Sequence, residues 1–251
     1  MTDQWKYVKS TFKQEGIASR FLGEERKLRV YLPPGYQELL SYPVLYCQDG
    51  DDFFRLGRIA TITNYLILEL GMEPIIIVGV GVKKSIRTQE YSPQGRRFIP
   101  YTQFFTQELI PYIEEKYPIR TAAEYRILAG DSLGATVSLH LALDYPDLFR
   151  NLISLSGAFF PSTQKRIKQE DHLSDLRIYM LVGLDETQVE TPAGTFNFLE
   201  INRETKELLI QRQASVQYIE KPGRHIWGFW QKEIPNALMY YFSNHIHHLT
   251  E

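Results

Sequence analysis

The sequence predicts an α/β fold: a mostly parallel central sheet with helices on both faces. Three observations predict it. Short apolar, β-branched runs alternate with amphipathic helical segments over most of the chain. The first two runs lie close together with no helix between them. A serine flanked by glycines stands where one later run gives way to a helical segment. Strand–helix alternation means parallel strands, because only a crossover can join them, and the crossovers cover both faces.

The strand candidates follow in order. Residues 6–12 and 27–32 come first; the polar stretch between them is short, so they read as an antiparallel pair. Residues 43–47, 74–80, 125–129, 152–155, 178–182 and 216–219 complete the set of eight. Helical periodicity fills the gaps at residues 59–70, 104–117, 135–145, 196–211 and 234–242. In residues 135–145, Val137, Leu141 and Tyr145 recur every four positions, and Pro146 closes the segment. Eight strands with an antiparallel first pair form the arrangement of an α/β-hydrolase. Residues 82–97 are polar and turn-rich, and residues 159–175 are charged and lack apolar periodicity. Both are expected to cross the rim of the sheet, where ligands bind. With no repeat or linker, residues 1–251 read as a single domain.

Composition narrows the function. Net charge is −2, and no stretch is basic enough to track phosphates, which argues against nucleic acid. The longest apolar runs are strand-sized, so no membrane span is expected, and the first residues carry no basic-then-apolar signal. Cys47 is the lone cysteine; it excludes an internal disulfide, fits a reducing compartment and reads as a buried strand thiol. A cytoplasmic location is the expectation.

The chemistry centres on Gly130-Asp131-Ser132-Leu133-Gly134. Glycines two residues either side of a serine leave room for the sharp strand-to-helix turn that presents a hydroxyl as a nucleophile. A serine hydroxyl needs a base to accept its proton. Of six histidines, His225 has the best context: it follows the 216–219 strand and the turn Pro222-Gly223-Arg224, with Trp227, Phe229 and Trp230 able to wall it from solvent. His140 lies down the helix after Ser132 and reads as packed or superficial, His172 sits in a charged segment, and His245, His247 and His248 read as a solvated tail. The third member, which orients the histidine, should come from a strand end between serine and histidine. The strand at 178–182 ends in Gly183-Leu184-Asp185-Glu186, and both acids qualify, with Glu190 close behind. One N–H for a developing oxyanion would be that of Leu133; the second would come from Gln48-Asp49-Gly50-Asp51-Asp52, with Asp51 the choice through its backbone. The three aspartates of that loop lack the ligand number and offsets of a calcium loop, so no metal is expected. No cofactor is expected either.

The string of motifs resembles the esterase D-like branch of the α/β-hydrolases, which includes feruloyl and acetyl xylan esterases, siderophore esterases, S-formylglutathione hydrolase and mycolyl transferases. The resemblance runs from about Lys27 to Phe242. It is carried by Tyr31-Leu32-Pro33-Pro34-Gly35-Tyr36, by Tyr42-Pro43-Val44-Leu45-Tyr46-Cys47-Gln48-Asp49-Gly50, by Arg87-Thr88-Gln89-Glu90-Tyr91-Ser92-Pro93, by the serine motif and by Gly223-Arg224-His225-Ile226-Trp227. It implies Ser132 as nucleophile, His225 as base, and Asp51 and Leu133 as oxyanion donors. Relatives carry glycine-x-x-acid after the corresponding strand, which from Gly183 selects Glu186. Arg87, Glu90 and Tyr91 match a segment that shapes the rim through an ion pair. A small-molecule ester is the implied substrate; an acyltransferase or thioesterase using the same triad, or a binding protein on this scaffold, is the alternative. A homo-oligomer is compatible with the sequence. A second lipase group is named for the letters Gly-Asp-Ser-Leu, but there the motif opens the domain, whereas here it lies mid-chain.

Overall fold

The chain enters its sheet through a hairpin. In the computed structural model, which describes residues 11–243, β1 (Thr11–Ser19) and β2 (Glu24–Leu32) pair antiparallel from Thr11↔Leu32 to Ser19↔Glu24. There follow β3 (Val44–Cys47), α1 (Gly50–Arg55), α2 (Ile59–Leu70), β4 (Ile76–Val80), α3 (Arg87–Tyr91), α4 (Phe98–Phe104), a π-helical turn (Phe105–Leu109) and α5 (Ile110–Lys116). The second half carries β5 (Arg126–Asp131), α6 (Leu133–Asp144), β6 (Asn151–Leu155), α7 (Pro161–Lys168), β7 (Arg177–Gly183), β8 (Val189–Thr191), β9 (Gly194–Phe196), α8 (Phe198–Gln211), β10 (Ser215–Lys221) and α9 (Trp227–Phe242).

Eight strands form one sheet in the order β1-β2-β4-β3-β5-β6-β7-β10. β1–β2 and β2–β4 are antiparallel, and every later pair is parallel. This is the expected α/β-hydrolase arrangement. β8 and β9 form a separate short hairpin.

Side chains alternate across the sheet with the two-residue period of strands. Val30, Val44, Tyr46, Val78, Leu128, Leu152 and Met180 pack on one face, against Phe104, Phe105, Ile113, Val137, Leu141 and Leu209 of the covering helices. Tyr31, Leu45, Cys47, Ile77, Ile127, Ile153, Tyr179 and Leu181 pack on the other, against Phe53, Ile59, Leu66, Phe229, Ile234 and Leu238. Each such aliphatic side chain contributes roughly 1.5–3 kcal/mol by leaving water. Cys47 is part of this core; burial pushes its thiol well up.

Several boundaries differ from the sequence expectation. Among the described residues the first strand is Thr11–Ser19; the strand expected at residues 6–12 lies mostly outside the described residues, as do His245, His247 and His248. β1 is an edge strand exposed along most of its length, so it lacks an apolar signal; its ladder with β2 defines it. The expected helix at 104–117 begins at Phe98 and passes through a π turn, in which the Ile110 N–H bonds to the Phe105 carbonyl. Pro111 sits just beyond, at the start of α5, and the widened turn accommodates its missing N–H. Phe196 belongs to β9; α8 begins at Phe198 because the Asn197 side chain accepts the Glu200 N–H at 3.0 Å as an N-cap. The last helix starts at Trp227 and continues through Pro235. The two rim stretches contain the short helices α3 and α7.

Because β3 to β7 and β10 are parallel, their carboxyl ends share one edge. Asp51, Ser132, Ser156, Glu186 and His225 all follow such ends.

Candidate active site

Ser132 joins β5 to α6 with φ 52° and ψ −119°, a conformation that L side chains rarely adopt. The turn is held from both sides: the Ser132 N–H donates to the Leu155 carbonyl at 2.9 Å, and its carbonyl accepts the Ala158 N–H at 3.0 Å. Gly130 is required by the tightness of this turn, since a Cβ there would lie 2.1 Å from the Gly134 carbonyl carbon. Ser132 remains partly accessible. Leu133 is the first residue of α6, and Asp51 lies in the first turn of α1. First-turn N–H groups have no partner within their own helix, so both positions can offer a donor. The Asp51 carboxylate faces outward, its side chain 75% exposed and 3.7 Å from Arg29.

In the loop before α1 the left-handed residue is Asp49, at φ 52°. Gly50 is needed for close approach, because a Cβ there would stand 2.3 Å from the backbone of Gly79 in β4.

Beyond β7, Asp185 is exposed and Glu186 fully buried. His225 Nδ1 lies 2.6 Å from Glu186 Oε2. The other oxygen, Oε1, accepts the Gly183 N–H at 2.8 Å and the Ser156 hydroxyl at 2.6 Å. Glu190 is exposed, in β8. The His225 side chain is 14% exposed. Its ring packs 4.3 Å from Phe198 and edge-on to Trp230 at 4.9 Å between centroids. Trp227 packs edge-on to Trp230 rather than against the histidine, and Phe229 lies beneath Gly223. Phe160 packs against Phe196 of β9 at 4.6 Å, joining the rim stretch to the hairpin that follows Glu186.

Arg87 ties the two loops together. Its Nε and Nη2 donate to Asp49 at 2.7 and 2.8 Å, and Nη2 also reaches the Asp131 carbonyl at 3.2 Å. The Asp131 carboxylate lies 3.7 Å from Arg87, and its Oδ1 is buried without a partner. Burial pushes the Asp49 and Asp131 carboxyls up, while Arg87 pulls both back down. Asp49 holds the closer, two-pronged contact; Asp131, facing a second acid as well, is carried to about 7. Burial works to lower Arg87, but the neighbouring Asp49 more than offsets it. Glu90, also fully buried, accepts both terminal nitrogens of Arg26 at 2.9 and 2.7 Å and Nε of Arg97 at 3.1 Å, fastening α3 to β2. Tyr91 accepts the Asp49 N–H at 3.1 Å.

The other two histidines among the described residues stand apart. His140 is buried in α6, 3.1 Å from the Thr163 hydroxyl, and burial pulls it down to about 4. His172 is exposed. Among the described residues no group of His, Cys, Asp and Glu is arranged to hold a metal ion, and no helix is long and apolar enough to cross a membrane.

Comparison with known proteins fits this geometry. Residues 19–241 match the model of the family described as "Putative esterase". The chain belongs to that family. It is 40% identical over 230 residues to the uncharacterised protein YjcH of Bacillus subtilis (strain 168), covering 91% of this chain and 96% of the relative. Its fold is shared with a ferulic acid esterase at TM-score 0.80, 20% identity, 93% of this chain and 98% of the other. It is shared also with the enterobactin esterase of Shigella flexneri at TM-score 0.77, 19% identity, 91% of this chain and 58% of the other. Family membership supports a hydrolytic enzyme acting on esters.

Residue types and order along the chain do not single out Ser156 or Phe198. Their partners, Glu186 and His225, lie far along the chain, 30 residues away for Ser156, so no local pattern marks either contact.

Proposed function

We propose that this protein is a serine-dependent carboxylic ester hydrolase acting on a small-molecule ester through an acyl-enzyme. The observation that carries the reading is the 2.6 Å contact between His225 Nδ1 and buried Glu186, on the same sheet edge as the strained Ser132. A carboxylate on Nδ1 selects the tautomer whose Nε2 is free to accept a proton.

In the first step Ser132 Oγ attacks the ester carbonyl carbon and His225 takes the hydroxyl proton. The carbonyl π electrons move onto oxygen, and the Asp51 and Leu133 N–H groups meet that charge. One such donor contributes about 3–4 kcal/mol to the transition state. The tetrahedral centre collapses, the C–O bond to the alcohol breaks, and His225 protonates the leaving oxygen. Water then attacks the acyl-serine, giving its proton to His225, and the second collapse returns that proton to Ser132 and frees the acid. Glu186 stabilises the imidazolium in both halves.

The test is hydrolysis of 4-nitrophenyl esters from acetate to decanoate by the wild type and by Ser132→Ala, with fluorophosphonate labelling in parallel. Turnover and labelling confined to the wild type are expected, and the optimal chain length measures the acyl site. Equal turnover by Ser132→Ala with its fold intact would sink the reading.

A further inference from the structure

Ser156 has no part in the steps above, yet it occupies the position in β6 that Ser132 occupies in β5, the residue just past the strand. It is fully buried and takes φ 49°, a left-handed conformation in which glycine is the unstrained choice. A non-glycine residue kept there needs a reason in its side chain. Its hydroxyl donates to Glu186 Oε1 at 2.6 Å and accepts the Trp230 indole N–H at 2.8 Å. An indole nitrogen only donates, and an ionised carboxylate only accepts. The direction of the chain is therefore set: Trp230 to Ser156, Ser156 to Glu186. Trp230 occupies a lone pair of the hydroxyl and leaves its hydrogen for the carboxylate.

The two carboxylate oxygens are thus divided. Oε1 is held by Ser156 and by the Gly183 N–H at 2.8 Å, and Oε2 is left for His225. Trp230 also stands edge-on to the His225 ring, so one side chain touches both ends of the arrangement. We infer that Ser156, anchored by Trp230, is a positioning residue for the reaction: it locks the Glu186 carboxylate in the plane that presents Oε2 to His225. The inference rests on the serine esterase reading and goes beyond it.

The experiment places Ser156→Ala and Ser156→Gly in the wild type and in Glu186→Ala, with kcat and KM measured on 4-nitrophenyl acetate. In the wild type both substitutions should lower kcat about tenfold to a hundredfold with KM unchanged, the range seen when a hydrogen bond orienting a functional group is removed. In Glu186→Ala the same substitutions should change kcat by less than about twofold, because the group they act through is gone. The glycine variant separates positioning from shape: it relieves the left-handed backbone while removing the hydroxyl, so a role confined to the turn predicts full activity. Trp230→Phe keeps Ser156 and removes its anchor; a smaller kcat loss, again absent in Glu186→Ala, is expected, and this variant carries the test if Ser156→Ala does not fold. Wild-type kcat in Ser156→Gly, or an equal loss in both backgrounds, would overturn the inference alone. Wild-type kcat in Glu186→Ala itself would remove the acid from the chemistry, and the inference would fall with the parent reading.

Discussion

Asp49 and Asp131 face one guanidinium. Arg87 grips the Asp49 carboxylate at 2.7 and 2.8 Å and meets the Asp131 carboxylate only at 3.7 Å. Two acids from neighbouring strand ends, one of them adjacent to Ser132, thus share a single cation in a buried setting. Both cannot be ionised without cost, and burial together with the charge of Asp49 pushes the looser one, Asp131, up.

That arrangement has a pH signature. An unfolded aspartate titrates at about 3.9, whereas burial, with Asp49 beside it, carries folded Asp131 to about 7. Between those values the folded state binds the extra proton, so unfolding free energy falls as pH rises through the window. Asp131→Asn removes this group from the linkage. Urea midpoints at pH 5 and pH 8 should show the variant gaining on the wild type at the higher pH. Parallel changes in the two proteins would mean that Asp131 titrates alike in both states.

Removing the cation should be more damaging than removing either acid. Arg87→Met leaves Asp49 buried without its partner, at a cost of about 3–5 kcal/mol, and loosens the contact to the Asp131 carbonyl beneath Ser132. Arg87→Lys should recover little, because a point charge cannot reproduce the two-pronged contact. The double variant Arg87→Met with Asp49→Asn should recover stability in urea denaturation. A double variant no better than Arg87→Met would show that the damage lies in packing, not charge.

How much of this was legible without coordinates follows from where the partners lie. β3, β4 and β6 are buried along their whole lengths, and buried parallel strands announce themselves as continuous apolar runs. β1 is exposed along most of its length and β8 and β9 have three residues each, so pattern alone marks none of the three in full. The serine turn is local and reads directly from its glycines. The choice between Asp185 and Glu186 depends on which side of a turn faces inward, a matter of backbone geometry that residue types leave open and that only the family resemblance narrows. The Asp49–Arg87 pair spans 38 residues and the Trp230–Ser156 bond 74, distances over which spacing carries no information.

On the proposed reading, strain at Ser132 should make stability and activity move in opposite directions. With φ 52° and ψ −119° the residue stands where a side chain costs roughly 1–3 kcal/mol. Ser132→Gly should raise Tm by a few degrees, about 2–4 °C per kcal/mol for a chain of this size, while abolishing turnover. Ser132→Ala should lose turnover without that gain, since its Cβ keeps the strain. A glycine variant no more stable than the alanine variant would show that the surrounding hydrogen bonds absorb the cost.

The two adjacent acids after β7 give the sharpest separation of roles. Glu186 is fully buried against His225, and Asp185 faces solvent. Glu186→Gln keeps shape and burial but offers His225 an amide where a carboxylate stood. The imidazolium loses its counter-charge, and a kcat lower by about a thousandfold to ten-thousandfold is expected. Asp185→Asn alters a group in water and should stay within about twofold of the wild type. Both variants should fold, since neither opens a cavity, so circular dichroism beside the kinetics keeps the comparison clean. If Asp185→Asn proved the slower enzyme, the turn after Gly183 would have to rearrange on binding substrate, and the 2.6 Å contact would belong to the resting state alone.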